Sequence, residues 1–115
     1  MNKKNKIINY ISLIKEKKRI KKFLKKYEIN NYELIKDENY GYVVNVNECV
    51  DLSNKELHEI EVKFNEVKGN FYCNNNFLIS LKGCPEIVHK NFLCNDNELI
   101  TLEHSSKLVK ESYYC

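Results

Sequence analysis

Residues 71–78, FYCNNNFL, return 21 residues later as residues 92–99, FLCNDNEL. The same step backwards reaches residues 50–57, VDLSNKEL, and the same step forwards reaches the YYC of residues 113–115. A fixed period of this length is typical of a solenoid, because a single unit cannot bury its own apolar side chains and must stack on its neighbours. No insertion breaks the register in the second half of the unit, where the corresponding residues are Ile60, Leu81 and Leu102, then Val67, Val88 and Val109.

Within the unit, the alternation of Phe71 and Cys73 predicts a short strand that points both side chains into the core. Asn76 follows where the chain has to turn, and its amide can bond backbone groups that the turn leaves unpaired. This F-x-C-x-x-N-x-L pattern resembles the strand segment of leucine-rich repeats. The run from Val50 to Val109, with VKGNFYCNNNFLISLKGCPEIV at its centre, also resembles a repeat family common in phages and other mobile elements.

The resemblance covers rather more than half of the chain and implies parallel strands on a protein-interaction scaffold. Two units depart from the pattern. Lys55 stands at the turn Asn position of the first unit, and residues 104–106, HSS, stand where the second unit has residues 83–85, GCP. We therefore expect the outer units to differ from the second in the geometry of the convex side, and not in the fold.

The first 47 residues do not follow the repeat. Residues 6–27 predict a helix, because apolar side chains recur at helical spacing. Two shorter helices with a break near residues 15–18 are the alternative, although no Gly or Pro interrupts the segment. Residues 32–36 and 42–46 alternate around a polar turn, which predicts a hairpin whose second strand leads into the solenoid sheet. The predicted helical stripe consists of Tyr10, Leu13, Ile14, Ile20, Leu24 and Tyr27, with Phe23 at its edge.

The predicted fold is a single α+β domain over residues 1–115, a short leucine-rich-repeat solenoid of parallel strands with an N-terminal helix and β-hairpin cap. The helical cap occupies residues 1–28, the hairpin 32–47 and the solenoid 50–115. The solenoid units are residues 50–70, 71–91 and 92–112. Helix and hairpin are expected to cover the first unit, because a terminal repeat otherwise exposes its apolar edge.

Charge is strongly segregated along the chain. Residues 1–26 hold 11 basic groups and one acidic group, a net charge of +10, whereas residues 27–115 hold 8 basic and 15 acidic groups, a net charge of −7. Such a basic face attracts phosphates or an acidic protein surface, but a run of lysines is also common on a merely solvated helix face. Both interpretations stay open for the candidate nucleic-acid or acidic-partner contacts Lys15, Lys18, Arg19, Lys22, Lys25 and Lys26.

The outward positions of the predicted strands indicate a second surface. Tyr72, Leu93 and Tyr114 occupy one repeat position, so they predict a solvent-facing apolar stripe across neighbouring strands. Exposed apolar stripes with polar rims mark interaction sites. Cover by the N-terminal helix is the alternative. The predicted protein-binding concave face consists of Asp51, Tyr72, Asn74, Leu93, Asn95 and Tyr114.

Catalytic and metal sites are not predicted. Cys73, Cys94 and Cys115 share one repeat position, but Zn²⁺ needs four tetrahedral ligands and usually a C-x₂₋₄-C pair, which is absent. Leu52 occupies that position in the first unit, so the column is interpreted as core packing. Cys84 has no acid–histidine arrangement that would activate it. We expect no cofactor, no metal and no enzymatic activity.

The chain has no apolar run near the ~20 residues that span a bilayer, and no secretory signal pattern. These features predict a protein of the host-cell cytoplasm that binds no membrane, with all five cysteines as reduced thiols.

The far end of the solenoid is predicted to be open, since no C-terminal cap pattern follows the last unit. Phe92, Leu99 and Val109 are expected to lack a covering unit, and the strand edge leaves unpaired N–H and C=O groups. A second copy placed by a two-fold axis would close this edge without forming fibres. A partner protein that covers the edge, and so makes it the functional surface, is the alternative. The predicted edge of such a homodimer consists of Leu102, Leu108 and Tyr113.

Together these features predict a non-enzymatic binding module. The resemblance to phage-type repeats suggests an anti-CRISPR-like inhibitor of a nucleic-acid-guided nuclease, whose partner is a host protein or ribonucleoprotein complex. Two alternatives stay open: a nucleic-acid-binding protein that uses the lysine-rich helix, and a homo-oligomeric structural protein.

Overall fold

The structure is a computed structural model that describes residues 3–115, with side chains described from residue 9 onward. One helix precedes nine strands. The elements are α1 (Lys3–Lys26), β1 (Tyr32–Asp37), β2 (Gly41–Val46), β3 (Val50–Asp51), β4 (Lys63–Val67), β5 (Phe71–Tyr72), β6 (Ile87–Val88), β7 (Phe92–Leu93), β8 (Leu108–Val109) and β9 (Tyr113–Tyr114).

The strands form two sheets that run along a short solenoid of about three turns. One sheet has the order β1-β2-β4-β6-β8 and the other β3-β5-β7-β9. Apart from the antiparallel β1–β2 hairpin, the strand pairs are parallel, and those of the second sheet keep the 21-residue step. Val50 pairs with Phe71, Phe71 with Phe92 and Phe92 with Tyr113. The predicted α+β repeat solenoid with a helix and hairpin at its start is therefore confirmed.

Stacked side chains fill the space between the two sheets. The ring of Phe71 lies 5.3 Å from that of Phe64 and 5.5 Å from that of Phe92, and Tyr113 continues the stack 5.3 Å beyond Phe92. Aromatic pairs at such distances add to the burial of apolar area. Further columns are fully buried around this stack, as predicted for the second unit: Cys73, Leu78, Leu81 and Val88.

A column of asparagine side chains holds successive turns together. The Asn76 Oδ1 atom accepts hydrogen bonds from the backbone N–H of Lys55 and Leu57 at 3.1 and 2.9 Å. Its amide nitrogen donates to the carbonyl oxygens of Leu52 and Cys73 at 2.8 and 3.0 Å. Asn97 repeats the arrangement one turn later, and the predicted role of the turn asparagine is confirmed.

The turns use left-handed backbone at fixed repeat positions. Asn54, Asn75 and Asp96 all have φ of 55° or 56°, a conformation that Asn and Asp tolerate better than most residues. Gly83 has φ of +97°, and a Cβ atom there would lie 2.7 Å from the Val62 carbonyl oxygen and 2.8 Å from that of Ile60. Glycine is therefore required where the second turn packs against the first.

Helix α1 covers the first turn with its second half. Ile20, Phe23 and Leu24 are buried in the common core. The helix is unbroken, so the alternative of two shorter helices is wrong. The predicted apolar stripe, however, is buried only in this half: Tyr10 is 67% exposed and Ile14 is also exposed.

One sequence prediction about the last turn is wrong. Phe92 is fully buried, because the Tyr113 ring lies over it. Cys94 and Cys115 share a repeat position in neighbouring turns, and their Cα atoms lie 4.5 Å apart, within the span that a disulfide bridges. Cys73 and Cys84 are free and buried, and Cys49 is free and exposed.

Candidate interaction surfaces

The basic face of α1 is exposed to solvent. Lys15, Lys18, Lys22 and Lys25 are all exposed there, as is Lys26, whose ammonium lies 5.4 Å from the Tyr27 ring centroid. Arg19 is also exposed, but its Nη1 atom donates to the Glu61 carbonyl oxygen at 2.6 Å and so ties α1 to the first turn. Arg19 therefore has a structural role, whereas the five lysines mainly expose their charge to solvent.

The outward face of the β3-β5-β7-β9 sheet carries the predicted stripe. Tyr72 and Leu93 are half-buried and adjacent in register, and Tyr114 follows them with 57% exposure. Asp51 is exposed. Its carboxylate accepts hydrogen bonds from the N–H and hydroxyl of Ser53.

The two asparagines of this face differ from each other. Asn95 is half-buried, and its amide donates to the Asp96 carboxylate at 2.9 Å. The Oδ1 atom of Asn74 is buried without a hydrogen-bond partner. Because this oxygen is buried, Asn74 is less accessible to a binding partner than its sequence position predicts.

The edge of the last turn exposes three residues predicted to form an oligomer contact. Leu102, Leu108 and Tyr113 are 57%, 49% and 40% exposed, respectively. Their counterparts one turn earlier are less exposed: Leu81 and Phe92 are fully buried and Ile87 is half-buried. These apolar side chains are thus exposed because no further complete turn stacks on the last one.

A groove that the sequence did not predict lies between α1, the hairpin turn and the first two turns of the solenoid. Its volume is about 580 Å³. Glu16 and Arg19 of α1 and Tyr40 of the hairpin turn line it, together with solenoid residues that include Ile60 and Ile79. Only the folded chain brings these segments together, since they lie up to 67 positions apart, from residue 16 to residue 83.

Next to this groove, a loop face built from residues 54–61, 75–82 and 96–103 exposes apolar side chains. Phe77 is exposed, and its ring stacks on that of His58 at 5.4 Å. Ile79 and Ile100 occupy the same repeat position in successive turns and are 55% and 84% exposed. We call Phe77, Ile79 and Ile100 the loop-face patch. The alternation with buried Leu78 is a signal that could have identified it from sequence.

Charged side chains on the β4-β6-β8 strands form ladders between turns. Lys63 donates to the Cys84 carbonyl oxygen at 2.5 Å and pairs with Glu86 at 3.0 Å, and Glu86 also meets Lys107 at 3.4 Å. Burial raises the pKa of Glu86, but the hydrogen bond and charge of Lys63, together with Lys107, outweigh it, so the net pKa lies below the ordinary carboxyl value.

A second ladder joins Glu66, His89 and Lys110. The His89 Nε2 atom lies 3.0 Å from the Glu66 carboxylate, and its Nδ1 atom lies 3.2 Å from the Lys110 ammonium. The hydrogen bond from His89 lowers the pKa of Glu66. Because these groups link successive turns in series, they act as structural ties between units.

Cys84 lies in an environment that suppresses thiol chemistry. It is fully buried, and burial, followed by its contact with Cys73, raises the pKa of its thiol well above the ordinary value. The thiolate is the nucleophilic form of cysteine, so this environment opposes attack by Cys84. Among the described residues, His, Cys, Asp and Glu side chains form no group of three or more that could hold a metal ion.

Comparison with known proteins finds no match to this chain, neither among family models nor among curated proteins nor among solved structures. In residues 3–115, no helix has both the length and the apolar character needed to cross a membrane.

Proposed function

We propose that the protein is a non-enzymatic interaction module, encoded by a phage or another mobile element, that inhibits a host defence complex in the host cytoplasm. The observation that carries this proposal is the row formed by Tyr72, Leu93 and Tyr114 on adjacent strands. A rigid solenoid holds the row in fixed register, and part of each side chain is open to solvent. Such rows with polar neighbours favour contact with another protein.

A nucleic-acid-guided nuclease is the target that fits the rest of the surface. Such a complex combines protein with RNA, and the chain combines an apolar row with a helix that exposes six lysines among its described side chains. In this proposal the solenoid binds the protein component, while Lys15, Lys18 and Lys22 approach phosphates of the guide RNA or the nucleic-acid channel. The resemblance to phage-type repeats supports the same class of target.

The test is phage plating on bacteria that carry an active CRISPR system, with and without this protein. We expect the protein to raise plating efficiency, and a Tyr72→Asp/Leu93→Asp variant to lose that effect while keeping its thermal unfolding midpoint within a few degrees. Ile35→Asp, at an exposed position on β1, is the matched control. Plating that is unchanged by the protein across the nuclease classes tested would contradict the anti-CRISPR proposal.

Direct nucleic-acid binding is the second candidate, favoured by the exposure of Lys15, Lys18, Lys22, Lys25 and Lys26 on α1. Fluorescence anisotropy with labelled single-stranded RNA and duplex DNA distinguishes the candidates. Phosphate-driven binding weakens steeply as salt rises, whereas an apolar protein contact survives. Changing Lys18, Lys22, Lys25 and Lys26 together to Glu should abolish binding to RNA without lowering thermal stability. Binding that persists would exclude the helix as its site.

A homo-oligomer through the last turn is the third candidate, because Leu102, Leu108 and Tyr113 expose apolar surface next to a strand edge. A two-fold contact between copies would cover both the apolar surface and the strand edge. Light scattering tests this candidate: Leu108→Asp should convert a dimer into folded monomers. A dimer that survives this change would place the contact elsewhere.

A further inference from the structure

The loop face has the charge and shape of a receptor for a basic amphipathic helix. Its three segments hold six acidic residues and two lysines, a net charge of −4. All six carboxylates are exposed around the loop-face patch of Phe77, Ile79 and Ile100. The acids are Glu56, Glu59, Glu61, Asp96, Glu98 and Glu103. An apolar patch bordered by acidic side chains is complementary to a partner surface that has an apolar centre and a basic border.

Helix α1 of the same chain has this composition in its first half. Tyr10, Ile11 and Ile14 are exposed there. Lys15 and Lys18 are also exposed. They follow Ile11 and Ile14 by four residues, so each lysine lies on the same helix row as an exposed isoleucine. Further along α1, Ile20, Phe23 and Leu24 are buried in the core of the same chain and fix the position of the helix.

The spacing of the two surfaces also matches. Corresponding residues of neighbouring turns, such as Ile79 and Ile100, are separated by about 4.8 Å, the distance between adjacent strands. Exposed residues about one turn apart on α1, such as Ile11 and Ile14, are separated by roughly 4.5 Å along the helix axis. A helix lying parallel to the solenoid axis would therefore set one apolar residue against each turn.

The contact is not made within one chain. Tyr10 of the helix and Ile100 of the patch are both largely exposed in the same molecule. We propose that the first half of α1 docks on the loop face of a second copy, with Tyr10, Ile11 and Ile14 against the loop-face patch. Lys15 and Lys18 then lie near Glu56 and Glu98, which flank Phe77 at the same repeat position.

When each copy places its helix on the loop face of the other, a two-fold axis relates the two contacts and the pair closes as an isologous dimer. The contact leaves the Tyr72–Leu93–Tyr114 row free and does not depend on the proposed inhibition of a nuclease. It also differs from a contact through Leu108, because the loop face and the last-turn edge can be altered separately.

Sedimentation equilibrium of the full-length protein at tens of micromolar tests the contact by complementation. Ile14→Asp disables the helix side, and Ile79→Asp disables the receptor side. Each variant alone should dissociate at least tenfold more readily than the unaltered protein. An equimolar mixture should regain association, because the helix of the Ile79→Asp copy meets the intact loop face of the Ile14→Asp copy.

Ile35→Asp is the matched control, since Ile35 is exposed on β1 and lies outside both surfaces; its association constant should not change. Circular dichroism melts show that each variant is folded. A second arm uses charge: Lys15→Glu/Lys18→Glu should weaken association, and pairing that copy with a Glu56→Lys/Glu98→Lys copy should restore it.

Three results would overturn the proposal. The unaltered protein would remain monomeric at the highest concentration, or the mixture of Ile14→Asp and Ile79→Asp would associate no better than either variant alone. The third is a dimer that Leu108→Asp splits and Ile14→Asp does not, which would assign the contact to the last-turn edge.

Discussion

The second and third turns of the solenoid share one sequence pattern but lie in different environments. Leu81 is fully buried, whereas Leu102 at the same repeat position is exposed. Val88 is buried and Val109 half-buried. The second turn lies between two complete neighbours, and the third is covered by the short strand β9. Burial at a repeat position is therefore decided by what stacks on it, so matched substitutions in the two turns should have unequal effects.

The largest difference is expected in the aromatic stack. Phe71→Ala leaves a cavity between Phe64 and Phe92 and should lower the free energy of unfolding by about 3–5 kcal/mol. Tyr113→Ala, at the exposed end of the same stack, should cost about 1 kcal/mol. Urea unfolding followed by circular dichroism measures both. Equal costs would show that the third turn is as tightly covered as the second.

The next difference concerns left-handed backbone. Gly83→Ala should cost about 2–4 kcal/mol, because the added Cβ meets two carbonyl oxygens of the first turn and the φ angle is unfavourable for alanine. His104 holds the same repeat position in the third turn with φ of 65°. His104→Gly should change stability by no more than about 0.5 kcal/mol. Thermal unfolding compares the pair, and a tolerated Gly83→Ala would mean that the first two turns can separate.

The asparagine column should show a smaller difference in stability cost between the second and third turns. Asn76→Ala removes the partner of the Lys55 and Leu57 N–H groups and of the Leu52 carbonyl oxygen, and should cost about 2–3 kcal/mol. Asn97→Ala should cost about 1 kcal/mol, because Asn97 is less buried and accepts from the Leu78 N–H alone. Denaturant titration of both variants is the measurement. The reverse order would contradict the gradient in burial.

The smallest expected effect is a dependence on pH. The pKa of Glu86 is lowered in the folded protein, so the native state binds fewer protons than the unfolded chain. The resulting stability is present above the unfolded value of 4.5 and is lost as pH falls through the lower native pKa. Glu86→Gln should cost about 1 kcal/mol at neutral pH and flatten the decline below pH 4.5.

Two controls accompany this variant. Lys107→Gln should have a weaker effect than Lys63→Gln, because the Lys107 side chain is exposed and that of Lys63 is largely buried. Glu33→Gln, on the exposed side of β1, controls for the loss of one carboxylate. Identical acid unfolding curves for Glu86→Gln and the unaltered protein would show that Glu86 does not contribute to the pH dependence of stability.

Most of the fold could be predicted from the sequence, because Phe71, Cys73, Asn76 and their counterparts recur at one step. Such a period specifies strand register directly. The surfaces were less predictable. Only the second half of the apolar stripe from Tyr10 to Tyr27 is buried, because only that half packs on the solenoid. The repeat does not predict this packing, since α1 lies outside it.

The groove beside α1 was missed for the same reason, since Arg19, Tyr40 and Ile79 meet only through tertiary packing.

The constant 21-residue step also makes the length of the molecule adjustable in whole turns. Val50, Phe71, Phe92 and Tyr113 pair in the same register, so successive units stack at one step. A duplicate of residues 71–91 inserted after residue 91 would keep this register. It would move the last turn about 4.8 Å further from α1. The number of repeats therefore sets the distance between the basic helix and the far edge of the solenoid.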